Sequence, residues 1–152
     1  MRTPTVTVLV VEDFEPYRRF IHSALREWGP VNVIEASDGL EAVQKGEESR
    51  PDLILLDIGL PKLNGFEAAK RLRTVAPQAK LLFVSQEFSS DVIEEALRLG
   101  AQGYVHKARA QSDLLPAVEA VLQGQQFVTG GWALREGGAP QAFPSAQNLF
   151  RV

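Results

Sequence analysis

What most constrains this chain is an alternation. Short apolar runs rich in β-branched residues take turns with stretches whose apolar residues recur at helical spacing. The first run, Val6 to Val11, is unbroken, which predicts a strand buried on both faces, as in a parallel sheet. Val31 to Ile34, Leu53 to Leu56, Leu81 to Val84 and the short Tyr104 to Val105 repeat the pattern. Helices are expected between them. Glu15-Pro16 opens the first, with Phe20, Ile21, Ala24, Leu25 and Trp28 on one face and Gly29-Pro30 at its end. Asp38-Gly39 opens the second, with Leu40 and Val43 inward. Asn64 caps the third, with Phe66, Ala69 and Leu72 inward. Ser90 is expected to cap the fourth, with Ile93, Ala96 and Leu97 in a stripe and Gly100 at its end. Ser112 is expected to cap the fifth, which places Pro116 in its first turn, where proline is cheap.

A strand–helix unit repeated five times implies a parallel sheet with helices on both faces. Right-handed crossovers limit it to a doubly wound α/β fold. Two strand orders are common in that class, the shorter being 2-1-3-4-5, and in both the functional crevice lies at the C-terminal ends of the strands. After Gly124 the texture changes: Gly130-Gly131, Gly137-Gly138, Pro140 and Pro144 interrupt any pattern. The expected division is residues 1–124 as the domain and 125–152 as an irregular extension carrying Phe127, Trp132, Phe143 and Phe150.

Composition excludes several classes. The absence of cysteine removes disulfides, thiolate catalysis and Cys-ligated metals. A net charge of -3 provides no global attraction for nucleic acid. No signal-peptide core or membrane-length apolar run follows Met1-Arg2-Thr3-Pro4, so a cytoplasmic location is expected.

The chemistry gathers at the strand ends. The first strand runs into Glu12-Asp13, the third into Asp57, the fourth into Ser85, and the fifth into His106-Lys107. Singly, an Asp after a strand is a turn former and a Lys a solvated charge. Together they would crowd three carboxylates into one crevice. Like charges about 4 Å apart repel by roughly 4 kcal/mol at an effective dielectric of about 20. Oxygen donors without His or Cys suit Mg²⁺, and an ammonium opposite suits a phosphoryl oxygen.

Val10-Val11-Glu12-Asp13, Leu55-Leu56-Asp57-Ile58-Gly59-Leu60-Pro61, Asn64-Gly65, Val84-Ser85 and Tyr104-Val105-His106-Lys107 resemble the signature blocks of two-component response-regulator receiver domains over about residues 5–123. That resemblance implies a flavodoxin-like (βα)5 sandwich of order 2-1-3-4-5. Asp57 would take a phosphoryl group from a sensor histidine kinase or phosphotransfer protein. Glu12, Asp13, Asp57 and the Gly59 carbonyl would hold Mg²⁺, with Glu12 acting mostly through water. Lys107 and Ser85 would contact the phosphoryl group. Ser85 and Tyr104 would switch the face made by the fourth helix, fifth strand and fifth helix toward a downstream effector protein or a second copy. Such domains assist their own phosphoryl transfer and dephosphorylation and are not conventional enzymes.

The local text around Val121-Leu122-Gln123-Gly124-Gln125 is similar to receivers fused to a helix-turn-helix output. The residues after Gly124 are too few and too rich in Gly and Pro for that output, so a receiver without direct DNA binding is expected. Ala108 follows Lys107 where many receivers have a cis-bonded Pro. A flavin module would need a phosphate cradle where Glu12-Asp13 stand. A phosphatase with an Asp nucleophile would want a carboxylate at Gly59. The serious rival is a receiver degenerated into a protein-binding platform: such degeneracy usually shows as loss of an acidic, Ser or Lys position, none is lost here, and a structurally intact yet unphosphorylated domain stays open as the alternative. His22 and Arg18-Arg19 are expected on a solvated surface, His106 turned away from Lys107, and Trp28 in packing.

Overall fold

In the computed structural model, which describes residues 5–134 and 140–142, the apolar runs form β1 (Val6–Val11), β2 (Val31–Ala36), β3 (Leu53–Leu56), β4 (Lys80–Ser85) and β5 (Gly103–His106). The helices are α1 (Glu15–Trp28), α2 (Gly39–Ser49), α3 (Gly65–Val75), α4 (Ser90–Arg98) and α5 (Ala110–Leu122). The strands pair in parallel in the order β2-β1-β3-β4-β5, and β6 (Phe127–Val128) adds to the outer edge of β5. This is the doubly wound flavodoxin-like arrangement that the sequence predicts.

Strand alternation sorts the core into two layers. Val8, Val10, Leu53, Leu55, Leu82, Val84 and Val105 face α1 and α5, meeting Ile21, Leu25, Leu114, Val118 and Val121. Leu9, Val11, Ile54, Leu56, Phe83 and Tyr104 face α2, α3 and α4, meeting Ala42, Ala69, Leu72, Ile93 and Ala96. Each large side chain buried this way stabilises the fold by about 1.5–3 kcal/mol. Trp28 packs against the first layer.

Several local expectations are corrected. Ser89, not Ser90, caps α4: its Oγ accepts from the Val92 amide at 3.3 Å. Leu40 is 47% exposed, whereas Val43 packs against the second layer as expected; α2 also turns Gly39, Ala42 and Gly46 inward, and a Cβ at Gly39 would stand 1.8 Å from the Leu63 carbonyl oxygen. Ser112 does not open α5. Lys107–Arg109 form a 3-10 turn that leads straight into a helix beginning at Ala110, and the Ser112 hydroxyl donates to the Arg109 carbonyl. Pro116 therefore sits inside α5, where its ring nitrogen has no proton to give the carbonyl four residues back. Burial of Leu114, Ala117, Val118 and Val121 holds that helix in place. Gly100 does end α4. At φ 100° it lets its own amide bond Leu97 and the Ala101 amide reach back to Ala96, the 6→1 closure of a Schellman motif.

Past Gly124 the chain is less irregular than its composition suggests. The Phe127 amide donates to Gln102, and the Thr129 amide to Tyr104. The Thr129 hydroxyl accepts from the His106 amide at 3.1 Å. Two residues are too few for a period to show, which hides β6 from the sequence. β7 (Trp132–Leu134) and β8 (Pro140–Ala142) form an antiparallel pair. Phe143 and Phe150 lie outside the described residues. No helix among the described residues is long and apolar enough to cross a membrane.

Candidate functional site: an acidic crevice with one lysine

Parallel pairing brings the C-terminal ends of β1, β3, β4 and β5 to one edge of the sheet. Glu12 continues β1, with its amide donating to Ala36 at the end of β2. Asp57 continues β3, with its amide donating to Val11 at 3.2 Å. Ser85 is the last residue of β4, and Lys107 follows β5 directly. Glu12, Asp13, Asp57, Gly59, Ser85 and Lys107 all line one crevice of about 590 Å³. The residues that the sequence singles out are thus brought together, except Tyr104, which lies one layer behind.

Lys107 is the electrostatic centre. Its Nζ donates to Glu12 Oε1 at 2.7 Å and to Asp57 Oδ2 at 3.0 Å. Glu12 Oε2 accepts from the Phe14 amide, and Asp57 Oδ1 from the Ile58 amide at 2.7 Å. Each carboxylate is held by one backbone amide and shares the ammonium. Burial raises the Glu12 carboxyl above its usual value, only partly opposed by Lys107 and the Phe14 amide, and the charge of Asp57 adds to the rise. Burial alone would lower Lys107, but its bonds and attraction to Glu12 and Asp57 win and hold the ammonium above the usual lysine value. The lysine is therefore held in its charged form.

Glu12, Asp13 and Asp57 offer oxygens that lie within 4.8 Å of one another. This is a hard, all-oxygen donor set, one member exposed and two buried. It fits a cation such as Mg²⁺, which prefers carboxylate oxygen and keeps several waters.

On the far side, Ser85 Oγ accepts from the Glu87 amide at 3.1 Å, which shapes the loop into α4. Tyr104 is fully buried, and its hydroxyl donates to the Glu87 carbonyl of the same loop. Burial raises its hydroxyl well above the ordinary tyrosine value. His106 is turned onto Phe88, with the two rings stacked at 4.5 Å.

Three supporting residues escaped the sequence reading. Arg18 is not a solvated charge. Its guanidinium donates to the Glu12 carbonyl at 2.7 Å and to Glu35 at 3.3 Å, while His22 Nδ1 lies 2.6 Å from the other Glu35 oxygen. Burial would raise Glu35, but His22 and Arg18 hold it below the ordinary glutamate value. Tyr17 places its ring 4.5 Å from Lys107 Nζ. Burial, with Glu12 and Asp57 nearby, pushes its hydroxyl up to about 12. Gly65 is the third. A Cβ there would stand 2.0 Å from the Asp57 carbonyl oxygen, and its amide donates to Ile58 at 2.7 Å. The Asn64-Gly65 block was a signal for Gly65. Nothing in the sequence separates Arg18 from its exposed neighbour Arg19.

The class that the fold and the crevice define is a doubly wound α/β domain with carboxylates, a hydroxyl and one lysine gathered at its strand ends. The chain belongs to the response regulator receiver domain family, which matches it over residues 8–119. It is thus a receiver domain of the two-component response regulators. It is 36% identical over 124 residues to the transcriptional regulatory protein PdtaR of Mycobacterium tuberculosis, a match covering 80% of this chain and 59% of that protein. The chain spans about three fifths of the length of such curated relatives. A LuxR-family two-component response regulator from Aurantimonas sp. SI85-9A1 superposes with TM-score 0.77 at 29% identity, covering 82% of this chain and 89% of that one. The receiver domain of the sensor histidine kinase PA1611 from Pseudomonas aeruginosa PAO1, which has a magnesium ion coordinated in its active site cleft, does so with TM-score 0.71 at 25% identity, covering 79% and 99%.

Proposed function

We propose that Asp57 is the phosphoacceptor of this receiver and that the domain turns phosphorylation into a change on the α4-β5-α5 face. One observation carries the reading: Lys107 bridges Glu12 and Asp57 inside a cluster of three carboxylates. An Asp57 oxygen attacks the phosphorus of a phosphohistidine on a sensor kinase or phosphotransfer protein. The new O–P bond forms as the P–N bond breaks, and its electron pair stays on the imidazole of the donor. Glu12, Asp13, Asp57 and the Gly59 carbonyl would hold Mg²⁺, which supplies charge neutralisation for the phosphoryl oxygens. Lys107 takes one phosphoryl oxygen by its ammonium, and Ser85 another by its hydroxyl. The catalysis is positioning and electrostatics, and the chain acts on its own Asp57 rather than as a conventional enzyme.

The output follows from the loop that Ser85 and Tyr104 share. When Ser85 turns to the phosphoryl group it releases the Glu87 amide, and the loop that Tyr104 holds through the Glu87 carbonyl is free to rearrange against α4. Phosphorylation shifts the equilibrium between the two loop arrangements only as far as the phosphoryl group favours one over the other. A downstream effector protein or a second copy then reads the changed face. Acetyl phosphate with Mg²⁺ should add one phosphoryl group by intact mass, and none to Asp57→Asn. Ser85→Ala should still be labelled but move the amide resonances of the α4-β5-α5 face less. Full labelling of Asp57→Asn contradicts the reading.

A further inference from the structure

Lys107 has a third neighbour in the crevice that carries no charge. Its side chain is 11% exposed, and besides Glu12 and Asp57 it meets the face of Tyr17, whose ring centroid is 4.5 Å from Nζ. Tyr17 stands one helical turn beyond Asp13, on the opening turn of α1, and Phe20 braces it at 5.3 Å between centroids. The Tyr17 hydroxyl oxygen is buried and has no hydrogen-bond partner among the described residues. What the side chain offers the crevice is therefore its ring.

We propose that Tyr17 is a positioning residue for phosphoryl transfer, its ring holding the Lys107 ammonium by a cation–π contact while Glu12 and Asp57 are engaged elsewhere. The inference rests on the assignment of Asp57 as phosphoacceptor. In the structure Lys107 is satisfied by the same two carboxylates that a bound cation and a phosphoryl group would claim. Its ammonium must then leave them and turn to a phosphoryl oxygen. Lysine has a flexible four-carbon stem and a compact charge that does not orient itself. An aromatic face attracts that charge through its quadrupole and does so more strongly where water is excluded. A carboxylate at position 17 would add a fourth negative charge to the cluster. An aliphatic side chain would fill the space but leave the ammonium unheld. A neutral ring does neither, so Lys107 stays in the crevice as its counter-charges change.

The test uses the full chain and two variants, Tyr17→Phe and Tyr17→Leu, with acetyl phosphate and Mg²⁺ as probes. Backbone NMR spectra establish that each variant is folded. Three quantities are read: the rate of Asp57 labelling, the Mg²⁺ midpoint from amide shifts, and the shift of the Lys107 ε-methylene protons. The wild type should show those protons displaced upfield by the ring. Tyr17→Phe should keep both that displacement and the labelling rate, because the hydroxyl has no partner to lose. Tyr17→Leu should lose the displacement and slow labelling by about fivefold, with the Mg²⁺ midpoint unchanged, because the ring holds the lysine and not the cation. Equal labelling of Tyr17→Leu and wild type would overturn the proposal. So would Tyr17→Phe labelling as slowly as Tyr17→Leu, or a wild type without the upfield displacement. A wild type that takes no phosphoryl group while keeping the displacement marks a failure of the Asp57 assignment itself, and the proposed role falls with it.

Discussion

Glu12 and Asp13 are neighbours in sequence and opposites in environment: Glu12 is 1% exposed and tied to Lys107, whereas Asp13 is exposed. The like charge at Asp13 is therefore offset less directly, and Asp13→Asn should raise the melting temperature by a few degrees in the absence of divalent cations. Mg²⁺ should raise the melting temperature of the wild type by mass action and that of the variant much less. Thermal melts with and without Mg²⁺ check both, and a wild type indifferent to Mg²⁺ would count against a shared cation site. Glu12, Asp13, Asp57, Ser85 and Lys107 were legible in the sequence because each lies at the end of a strand or within two residues of it, and strand ends in this fold class converge. Arg18 and Tyr17 were not. Their roles depend on which way α1 turns over the crevice, and a periodicity that places Ile21 and Leu25 in the core does not say what meets the edges of that helix.

The elements were legible in existence and order, and less so at their starts. The N-caps at Asp38 and Asn64 followed from side chains that can accept from the third amide onward, and both do. α5 was misplaced because its first turn has no capping side chain and grows out of a 3-10 turn. The start of α3 matters most for the site. Gly65 lets the helix lie against the Asp57–Ile58 backbone, so Gly65→Ala must push α3 and the acceptor loop apart. It should cost about 1–3 kcal/mol of stability, as overpacking does, and slow Asp57 labelling more than the stability loss accounts for in a chain still fully folded. Urea unfolding and labelling kinetics on one sample separate the two effects. A stable Gly65→Ala with normal kinetics would mean that α3 and the loop yield freely there.

Across the whole molecule, the sheet ends not at β5 but at β6, which buries Phe127, Val128 and Thr129 against it. Truncation after Gly124 should therefore expose the β5 edge and destabilise the domain by about 3 kcal/mol from the two apolar side chains alone. Urea midpoints of the full and shortened chains measure this, and equal midpoints would show that the added strand contributes nothing. The alternation of strands and helices announced the fold from end to end. The added strand was hidden because two residues and one hydroxyl leave no pattern. The same geometry, four strand ends meeting at one lysine and three carboxylates, is the ground for proposing Asp57 as the acceptor among the aspartates. Borohydride reduces an acyl phosphate and leaves homoserine in place of the aspartate, so the acceptor can be marked covalently after treatment with acetyl phosphate and Mg²⁺. Peptide mapping should find homoserine at position 57 and at no other aspartate; homoserine at Asp13 or elsewhere, or none at all, would contradict the account.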